Sequence, residues 1–323
     1  MSAQGSAVGD NERTLSSICI AAAMLLGLAL PSLSAAFFDY LYHFLFLVVV
    51  FSFCSLNANI LEVAVRIDKN TWQALGWQMA GIPMLVTTAC FLMNTDGLTT
   101  AVLVATTTAG SVFASPALAH LVGLDRSVSI RIMLLSTFLM PISLLFFGEL
   151  NGVIPAGVPL FDYLRHVVYF LLLPMVIAVA YWQVSPTLVK GKADIAEQTM
   201  HWLATLALIG FCIGVMHKLH GAGETHASQI FHYIFLVGAM VVTVYFVTMM
   251  LFAHLGKRAA LTVGMLAANR NVALSFALIS ELLPNHVLAF VAVAQFPIFL
   301  VPIVVRCFQF VTTMRLKRLE KTA

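Results

Sequence analysis

Long apolar stretches recur along the whole chain and are separated by short polar segments. Their approximate limits are residues 15–33, 39–61, 71–93, 98–123, 127–148, 161–183, 200–217, 229–254, 259–283 and 286–311. A helix needs about 20 mainly apolar residues to cross the hydrocarbon core of a bilayer. The pattern therefore predicts an all-α, polytopic membrane protein with ten transmembrane helices.

The low proportion of charged residues excludes a soluble globular protein. Hydrophobic residues make up 61% of the chain and charged residues 10%, whereas soluble domains contain roughly half and a quarter. The net charge of +3 comes from basic residues spread over short loops and a tail, so no nucleic-acid partner is predicted. The five cysteines lie in apolar stretches without a repeated CxxC spacing, which indicates small buried side chains.

Basic residues other than Arg270 fall almost entirely on one side of the predicted membrane. That side holds Arg13, Arg66, Lys69, Arg126, Arg131, Lys190, Lys192, Lys257, Arg258, Arg306, Arg315, Lys317, Arg318 and Lys321. The opposite side holds only Arg165 and Lys218. Because basic loops accumulate in the cytoplasm, we expect a plasma (inner) membrane protein with both tails, residues 1–14 and 314–323, in the cytoplasm.

Two of the apolar stretches are interrupted by polar residues near their centres. Arg270 stands between Asn269 and Asn271 in the stretch 259–283, and Ser111, Ser115 and Pro116 interrupt the stretch 98–123. An arginine at bilayer depth costs roughly 3 kcal/mol on insertion scales, so it usually faces a partner or a water-filled cavity. Interrupted helices in corresponding positions are typical of secondary transporters.

Ten predicted helices divide into two sets of five, and the interrupted helix is the fourth in each set. This arrangement predicts two inverted repeats, residues 15–150 and 151–313. The interrupted helices are then antiparallel and cross near the middle of the bilayer. Their free amide and carbonyl groups converge there with the helix-end dipoles and can hold a small polar ligand.

Three segments resemble the bile acid:sodium symporter family. They are Gly110–Pro116 continuing through Leu121–Asp125 to Ser129, then Gln78–Pro83, and Arg270–Leu274. The resemblance implies ten helices in a core and a panel domain, crossed fourth and ninth helices, and sodium-coupled transport of organic anions. It also implies which residues should ligate sodium.

Half of these sodium ligands are replaced. The chain keeps the expected residue at Gln78, Ser115, Ser129 and Asn271. It carries Pro116, Met133, Leu266 and Arg270 where the family has asparagine, threonine, glutamate and glutamine. Sodium is a hard cation that requires several oxygen ligands, so a bound sodium ion is doubtful and no other cofactor is predicted. We hypothesise that the guanidinium of Arg270 fills the space of one missing sodium and bonds to Gln78 or to carbonyls of the fourth helix.

The candidate site residues each have a structural alternative. The candidates for substrate binding are Arg270, Asn271, Asn269, Ser111, Ser115 and Gln295, and those for ion binding or coupling are Gln78, Ser129 and His120. Arg270 could instead tie helix ends together, the two asparagines could cap helices, and the serines could allow close packing. His120 could couple transport to protons or be a satisfied or interfacial histidine.

A group of potential metal ligands lies between the seventh and eighth stretches. It comprises His217, His220, Glu224 and His226. Zinc binding is one interpretation, but the intervening glycines favour an exposed loop. The chain also lacks the paired HExxH spacing of an intramembrane metalloenzyme, so we predict that it is not an enzyme.

The sequence thus predicts a secondary active transporter of small organic anions that works by alternating access. Its partners are the substrate and the lipid bilayer, and no protein partner is implied. The coupling ion stays open between sodium, proton and none, and a membrane sensor with the same fold is the remaining alternative. Arsenite-type carriers are disfavoured, because no cysteine lies between Leu98 and Asp125.

Overall fold

The computed structural model describes residues 18–56, 68–113, 115–116, 119, 124–154, 160–189, 193–221, 227–279 and 293–298, with the backbone alone at 186–189, 193–194, 221 and 227. These residues are mostly helical, and their only extended pairing is a single bridge. Within the described residues, five helices are long and apolar enough to cross a membrane: Lys69–Leu92, Arg126–Leu150, Leu160–Ser185, Ile195–His220 and Ser228–Leu251. These helices indicate a multi-pass membrane protein.

The helices follow the apolar stretches closely. In chain order they are α1 (Ile18–Ala29), α2 (Pro31–Phe38), α3 (Leu41–Cys54), α4 (Lys69–Leu92), α5 (Gly97–Thr107), α6 (Arg126–Leu150), α7 (Leu160–Val167 continuing to Leu173–Val189), α8 (Ala193–Val215), α9 (His217–Gly221), α10 (Ala227–Leu251), α11 (Lys257–Ala268) and α12 (Val272–Ile279). The stretches 98–123 and 259–283 each contain a helix that ends part-way, at Thr107 and Ala268. The predicted last span, 286–311, lies mostly outside the described residues.

The first stretch differs from the expected single span. Helix α1 stops at Ala29, and α2 leaves it at an angle of 108°. Leu30, between them, has a φ of −121° and a ψ of 86°, because a proline at the next position disfavours the helical conformation. The segment after Pro31 is therefore a separate short helix, and part of the predicted loop before residue 39 is helical.

Aspartate residues cap the amino-terminal ends of three helices. The side chains of Asp68, Asp96 and Asp125 accept hydrogen bonds from the third backbone N–H of α4, α5 and α6, at distances of 2.7, 2.9 and 3.1 Å. Each bond satisfies an N–H that has no partner inside the helix, and the negative charge faces the positive helix end. The acidic residues thus define where these helices start.

The cap at Asp96 gives a testable contribution to stability. Burial acts to raise the pKa of Asp96, but hydrogen bonds from the side chain and N–H of Thr99 outweigh this effect and the pKa is lowered. We expect Asp96→Ala to lower the free energy of unfolding by about 1 kcal/mol at neutral pH. A carboxylate whose pKa is lowered in the folded state stabilises that state at pH values above its unfolded pKa of about 3.9. This contribution is lost as the pH falls through the pKa of the folded state.

Thermal unfolding of the purified protein between about pH 3 and pH 7 measures this effect. Asp96→Asn is the matched control, because asparagine keeps the capping oxygen without the charge. Its deficit relative to the wild type should shrink at low pH. Equal melting temperatures for the wild type and Asp96→Ala at neutral pH would contradict the assignment.

Two helices contain a widened π-helical turn just before a proline. The turn Trp77–Gly81 in α4 precedes Pro83, and the turn Val168–Leu172 in α7 precedes Pro174. A proline has no N–H and its ring clashes with the carbonyl four residues back, so the preceding turn widens. Such turns are frequent at functional sites, and Gln78 in the turn of α4 is 2% exposed.

The helices form two groups. Helices α1, α2, α3, α7 and α8 pack together as the first bundle, and α4, α5, α6, α10 and α11 as the second bundle. In the first bundle, a Cβ added at Gly27 or Gly214 would lie 2.6 or 2.9 Å from a backbone carbonyl oxygen of a neighbouring helix, which is the close packing typical of membrane helices. Helix α12 lies between the bundles, in contact with α3 and α7 of the first and with α5 and α6 of the second.

The starts of four helices lie together at one end of the molecule, which we term the basic end. Arg126 at the start of α6 contacts Glu197 of α8, and Arg131 contacts Asp68 at the start of α4, both at 3.7 Å. Arg258 at the start of α11 donates to the carbonyl oxygen of Leu124 at 3.2 Å. Basic residues from α6 and α11 are therefore brought to the same end.

Candidate functional site

The two interrupted helices break at the same place in the structure. Helix α5 ends at Thr107, and residues 109–112 are non-helical before Ser115 and Pro116 resume a helical conformation. Pro116 is tolerated there because the first turn of a helix does not need its N–H. Helix α11 ends at Ala268, residues Asn269–Asn271 are non-helical, and α12 begins at Val272.

The two breaks pair with each other like one rung of an antiparallel sheet. Ser111 and Arg270 form the bridge. The N–H of Val112 donates to the carbonyl of Asn269 at 3.0 Å, and the N–H of Asn271 donates to the carbonyl of Gly110 at 2.7 Å. Backbone groups freed by a helix break in a membrane must find partners inside the protein, and here each break satisfies the other. We refer to this junction as the crossing.

The guanidinium of Arg270 lies at the centre of the crossing and is 2% exposed. Its Nε donates to the carbonyl of Ala267 at 2.7 Å, and its two terminal nitrogens donate to the carbonyls of Ala109 at 2.8 Å and Gln78 at 3.1 Å. Ala109 and Ala267 lie at the carboxyl ends of α5 and α11, where the helix dipole is negative. One cation thus joins three chain segments through backbone carbonyls.

The π-helical turn explains why the Gln78 carbonyl can accept this bond. The N–H of Ile82 donates five residues back, to the carbonyl of Trp77. The next residue is Pro83, which has no N–H to continue the pattern to Gln78. The carbonyl of Met79 is also free of its usual helical donor and accepts a bond from the Ser143 hydroxyl at 2.6 Å.

The side chain of Gln78 also forms hydrogen bonds at the crossing. Its amide nitrogen donates to the hydroxyl oxygen of Ser111 at 2.5 Å and to the carbonyl of Leu266 at 3.1 Å. The Ser111 hydroxyl donates to the same Leu266 carbonyl at 3.1 Å. Gln78 therefore contacts the first break and the end of α11 through its side chain, and Arg270 through its backbone carbonyl.

Gly110 lets the first break press directly against α6. A Cβ at this position would lie 3.0 Å from backbone atoms of Thr137 and 3.1 Å from the carbonyl carbon of Ser136. The N–H of the next residue, Ser111, donates to the Ser136 hydroxyl at 3.0 Å. Glycine is required because the neighbouring atoms belong to a helix backbone, which cannot rotate away as a side chain can.

The positive charge of Arg270 has no carboxylate partner among the residues that the structure describes. Both ion pairs found there lie at the basic end, and Arg270 bonds only to neutral carbonyls. Carbonyl groups solvate a guanidinium but do not neutralise it. In its described surroundings the crossing therefore carries a net positive charge, and a buried charge of this kind is a candidate functional site.

The structure brings most of the predicted site residues to the crossing. The predicted residues found there are Arg270, Asn269, Asn271, Ser111, Ser115 and Gln78. Asn269 Nδ2 lies 3.5 Å from the hydroxyl oxygen of Ser115. Asn271 caps α12, because its Oδ1 accepts from the N–H of Leu274 at 3.3 Å. Capping was one of the two roles considered for this residue from the sequence.

Three predicted residues are not placed at the crossing. The hydroxyl of Ser129 donates to the carbonyl of Asp125 in the first turn of α6, at 2.9 Å, because a serine on a helix readily bonds to the carbonyl four residues back. Gln295 is 1% exposed, and neither of its amide atoms has a hydrogen-bond partner within the described residues. His120 lies outside the described residues.

The histidines near residue 217 point to different partners. The ring of His217 packs 5.0 Å from that of Phe38, and His220 Nε2 lies 3.2 Å from the carbonyl oxygen of Gly27. The described residues contain no group of three or more metal-ligating side chains. Glu224 and His226 lie outside them.

The sequence analysis did not identify Ser136 or the backbone acceptors of the crossing. Ser136 accepts from Ser111 and donates to the carbonyl of Met133 at 3.1 Å. A serine in the middle of the apolar stretch 127–148 was the available signal. The carbonyls of Ala109, Ala267 and Leu266 carry no signal in residue type, because every residue has one.

No protein-family model matches the chain, and no curated protein is significantly similar to it. The geometry of the crossing is therefore the main basis on which a function can be assigned.

Proposed function

We propose that the protein is a secondary transporter of small organic anions that works by alternating access around the crossing. The observation that carries this proposal is the buried guanidinium of Arg270 at the junction of two interrupted helices, without a carboxylate partner in the described residues. Intramembrane charges mark substrate or ion sites by default. Interrupted helices that meet are the usual place for such a site in secondary transporters.

The electrostatics of the crossing favour an anion. The charge of Arg270 and the positive end of α12, which begins two residues later, have the same sign and reinforce each other. Asn271 is partly exposed, and its Oδ1 is used as a cap while no described residue accepts from its Nδ2. A positive charge beside free N–H donors complements a carboxylate or a similar group. Substrate contacts are assigned to Asn271 and the start of α12, with Arg270 supplying the charge.

The two bundles suit an alternating-access mechanism. The bridge, the π-helical turn of α4 and the ends of α5 and α11 all belong to the second bundle, whereas α12 also contacts the first bundle. A rocking motion of one bundle against the other would therefore open the region beside α12 to either side of the membrane.

The wider architecture belongs to the same proposal. It comprises ten spans, two inverted repeats at 15–150 and 151–313, and membership of the bile acid:sodium symporter family. Two observations support it. The breaks that follow α5 and α11 form an antiparallel bridge, and the segments around Gly110, Gln78 and Arg270 resemble those of the family. A plasma-membrane location with cytoplasmic termini follows from the basic residues, several of which meet at the basic end.

Transport in this proposal does not need sodium at the crossing. Unwound carbonyls and carboxyl-terminal helix ends are the groups that coordinate sodium in carriers of this kind. Here the carbonyls of Gln78, Ala109 and Ala267 already receive hydrogen bonds from Arg270. The protein then works as a uniporter or couples to protons.

Counterflow in liposomes tests the proposal. Purified protein is reconstituted with unlabelled organic acid inside, and entry of the labelled acid is followed for a panel of mono- and dicarboxylates in sodium or potassium. We expect at least one acid to exchange equally well in both salts. Binding of an acid without any exchange would identify a sensor, and exchange that requires sodium would refute the coupling assignment.

A further inference from the structure

The two bundles are joined at the basic end by an exposed ion pair. Arg126 begins α6 in the second bundle, and Glu197 lies in the first turns of α8 in the first bundle. Their nearest nitrogen and oxygen atoms are 3.7 Å apart, and each side chain is about half exposed. The contact therefore crosses the boundary between bundles at a place open to water and ions.

The bundles are held differently further along α6. The buried hydroxyl of Tyr163 in α7 donates to the carbonyl of Pro141 in α6 at 2.7 Å. Pro141 lies about 22 Å along the helix from Arg126, at a rise of 1.5 Å per residue. The bundles are thus sealed towards the far end by a buried contact and bound at the basic end by a pair that water and salt can reach.

A second ion pair provides a comparison within one bundle. Arg131 in α6 and Asp68 at the start of α4 are also 3.7 Å apart, and both helices belong to the second bundle. A movement of the bundles relative to each other separates Arg126 from Glu197 and leaves Arg131 and Asp68 together. The two pairs share one helix, one end of the molecule and one distance. They differ in what they join and in the exposure of the arginine side chain, which is 52% for Arg126 and 15% for Arg131.

We propose that Arg126 and Glu197 form a charge latch that closes the two bundles against each other at the basic end. An exposed ion pair is weak, so breaking this one changes the ratio of closed to open molecules by only about two- to five-fold. A weak contact suits a gate that must open in every cycle. The inference rests on the proposed function, because a latch presupposes that the bundles move.

Distances between spin labels test the latch without any transport assay. Labels are attached at cysteines introduced at Ser127 in α6 and Thr199 in α8, both exposed, in a full-length background whose five native cysteines are replaced. Circular dichroism and melting temperature confirm that this background is folded. The variants are Glu197→Gln, the charge exchange Arg126→Glu with Glu197→Arg, and Asp68→Asn, which removes the second ion pair but keeps a residue able to cap α4.

We expect Glu197→Gln to add a population with a longer distance between the labels, at a ratio two- to five-fold above the wild type as estimated for an exposed pair. The charge exchange should restore the wild-type distribution, Asp68→Asn should leave it unchanged, and about 1 M salt should reproduce the effect of Glu197→Gln by screening. Identical distributions for the wild type and Glu197→Gln, or an equal shift in Asp68→Asn, would overturn the latch. Absence of counterflow with these distance shifts present would refute the proposed transport and leave the latch standing.

Discussion

Replacing Arg270 with methionine should abolish anion binding and transport and destabilise the protein. Three buried carbonyls, of Gln78, Ala109 and Ala267, lose their donor. A buried acceptor left without a partner costs about 1–3 kcal/mol, so the free energy of unfolding should fall by about 3 kcal/mol or more. Melting temperature and counterflow measure the two effects. Because the crossing also loses its positive charge, increasing the substrate concentration should not restore exchange.

Arg258→Met is the matched control for this change. Arg258 lies at the start of α11, the helix that ends just before Arg270. It is exposed, and its side chain makes one hydrogen bond, to the carbonyl of Leu124. We expect it to retain the melting temperature and transport of the wild type. Arg270→Lys should fall between the two, since an ammonium keeps the charge but cannot reach three carbonyls with the fixed fork of a guanidinium. Unchanged stability and transport in Arg270→Met would refute the assigned role.

Gly110→Ala should separate the first break from α6 and weaken the crossing. The added Cβ would lie 3.0 Å from backbone atoms of Thr137, and forced packing of this kind costs about 1–3 kcal/mol. The displacement also disturbs the bond from Asn271 to the Gly110 carbonyl, which is 2.7 Å long. We expect a lower melting temperature and a larger loss of transport than of binding, because the first break can no longer pack closely against α6.

Gly97→Ala, at the start of the α5 helix that precedes the first break, is the control for Gly110→Ala. A Cβ at Gly97 has open space around it, and replacing an exposed helical glycine with alanine stabilises a protein by about 0.4–1 kcal/mol. Gly97→Ala should therefore keep or raise the melting temperature. Similar values for the two variants would contradict the close approach of the first break to α6.

Residue type predicted where the helices break and which polar residues would meet. Pro116 and the serines marked the first break, and Arg270 between two asparagines marked the second, because these residues are costly or disfavoured inside an apolar helix. Five of the predicted spans coincide with the five long helices for the same reason, since about 20 apolar residues in succession have few other solutions in a bilayer.

The contacts of the crossing could not be predicted in the same way. The guanidinium of Arg270 donates to the backbone carbonyl of Gln78. This carbonyl is free to accept because of Pro83 and the widened turn before it. The sharp bend after Ala29 depends on the effect of Pro31 on Leu30. The hydroxyl of Ser129 bonds to the carbonyl of Asp125 in the first turn of α6. Which of two local partners a hydroxyl or carbonyl takes depends on three-dimensional packing, which residue order does not encode directly.

We propose that the crossing is an anion site whose positive charge is supplied by Arg270. The most direct test is the thermal stability of the purified wild type and Arg270→Met with a panel of small organic acids, in sodium and in potassium at equal ionic strength. A ligand that binds the folded state raises its stability by mass action, by about 2.7 kcal/mol at 100 times the Kd. We predict that at least one acid raises the melting temperature of the wild type equally in both salts and leaves Arg270→Met unchanged. Stabilisation that appears only in sodium, or that persists in Arg270→Met, would contradict a sodium-independent anion site at Arg270.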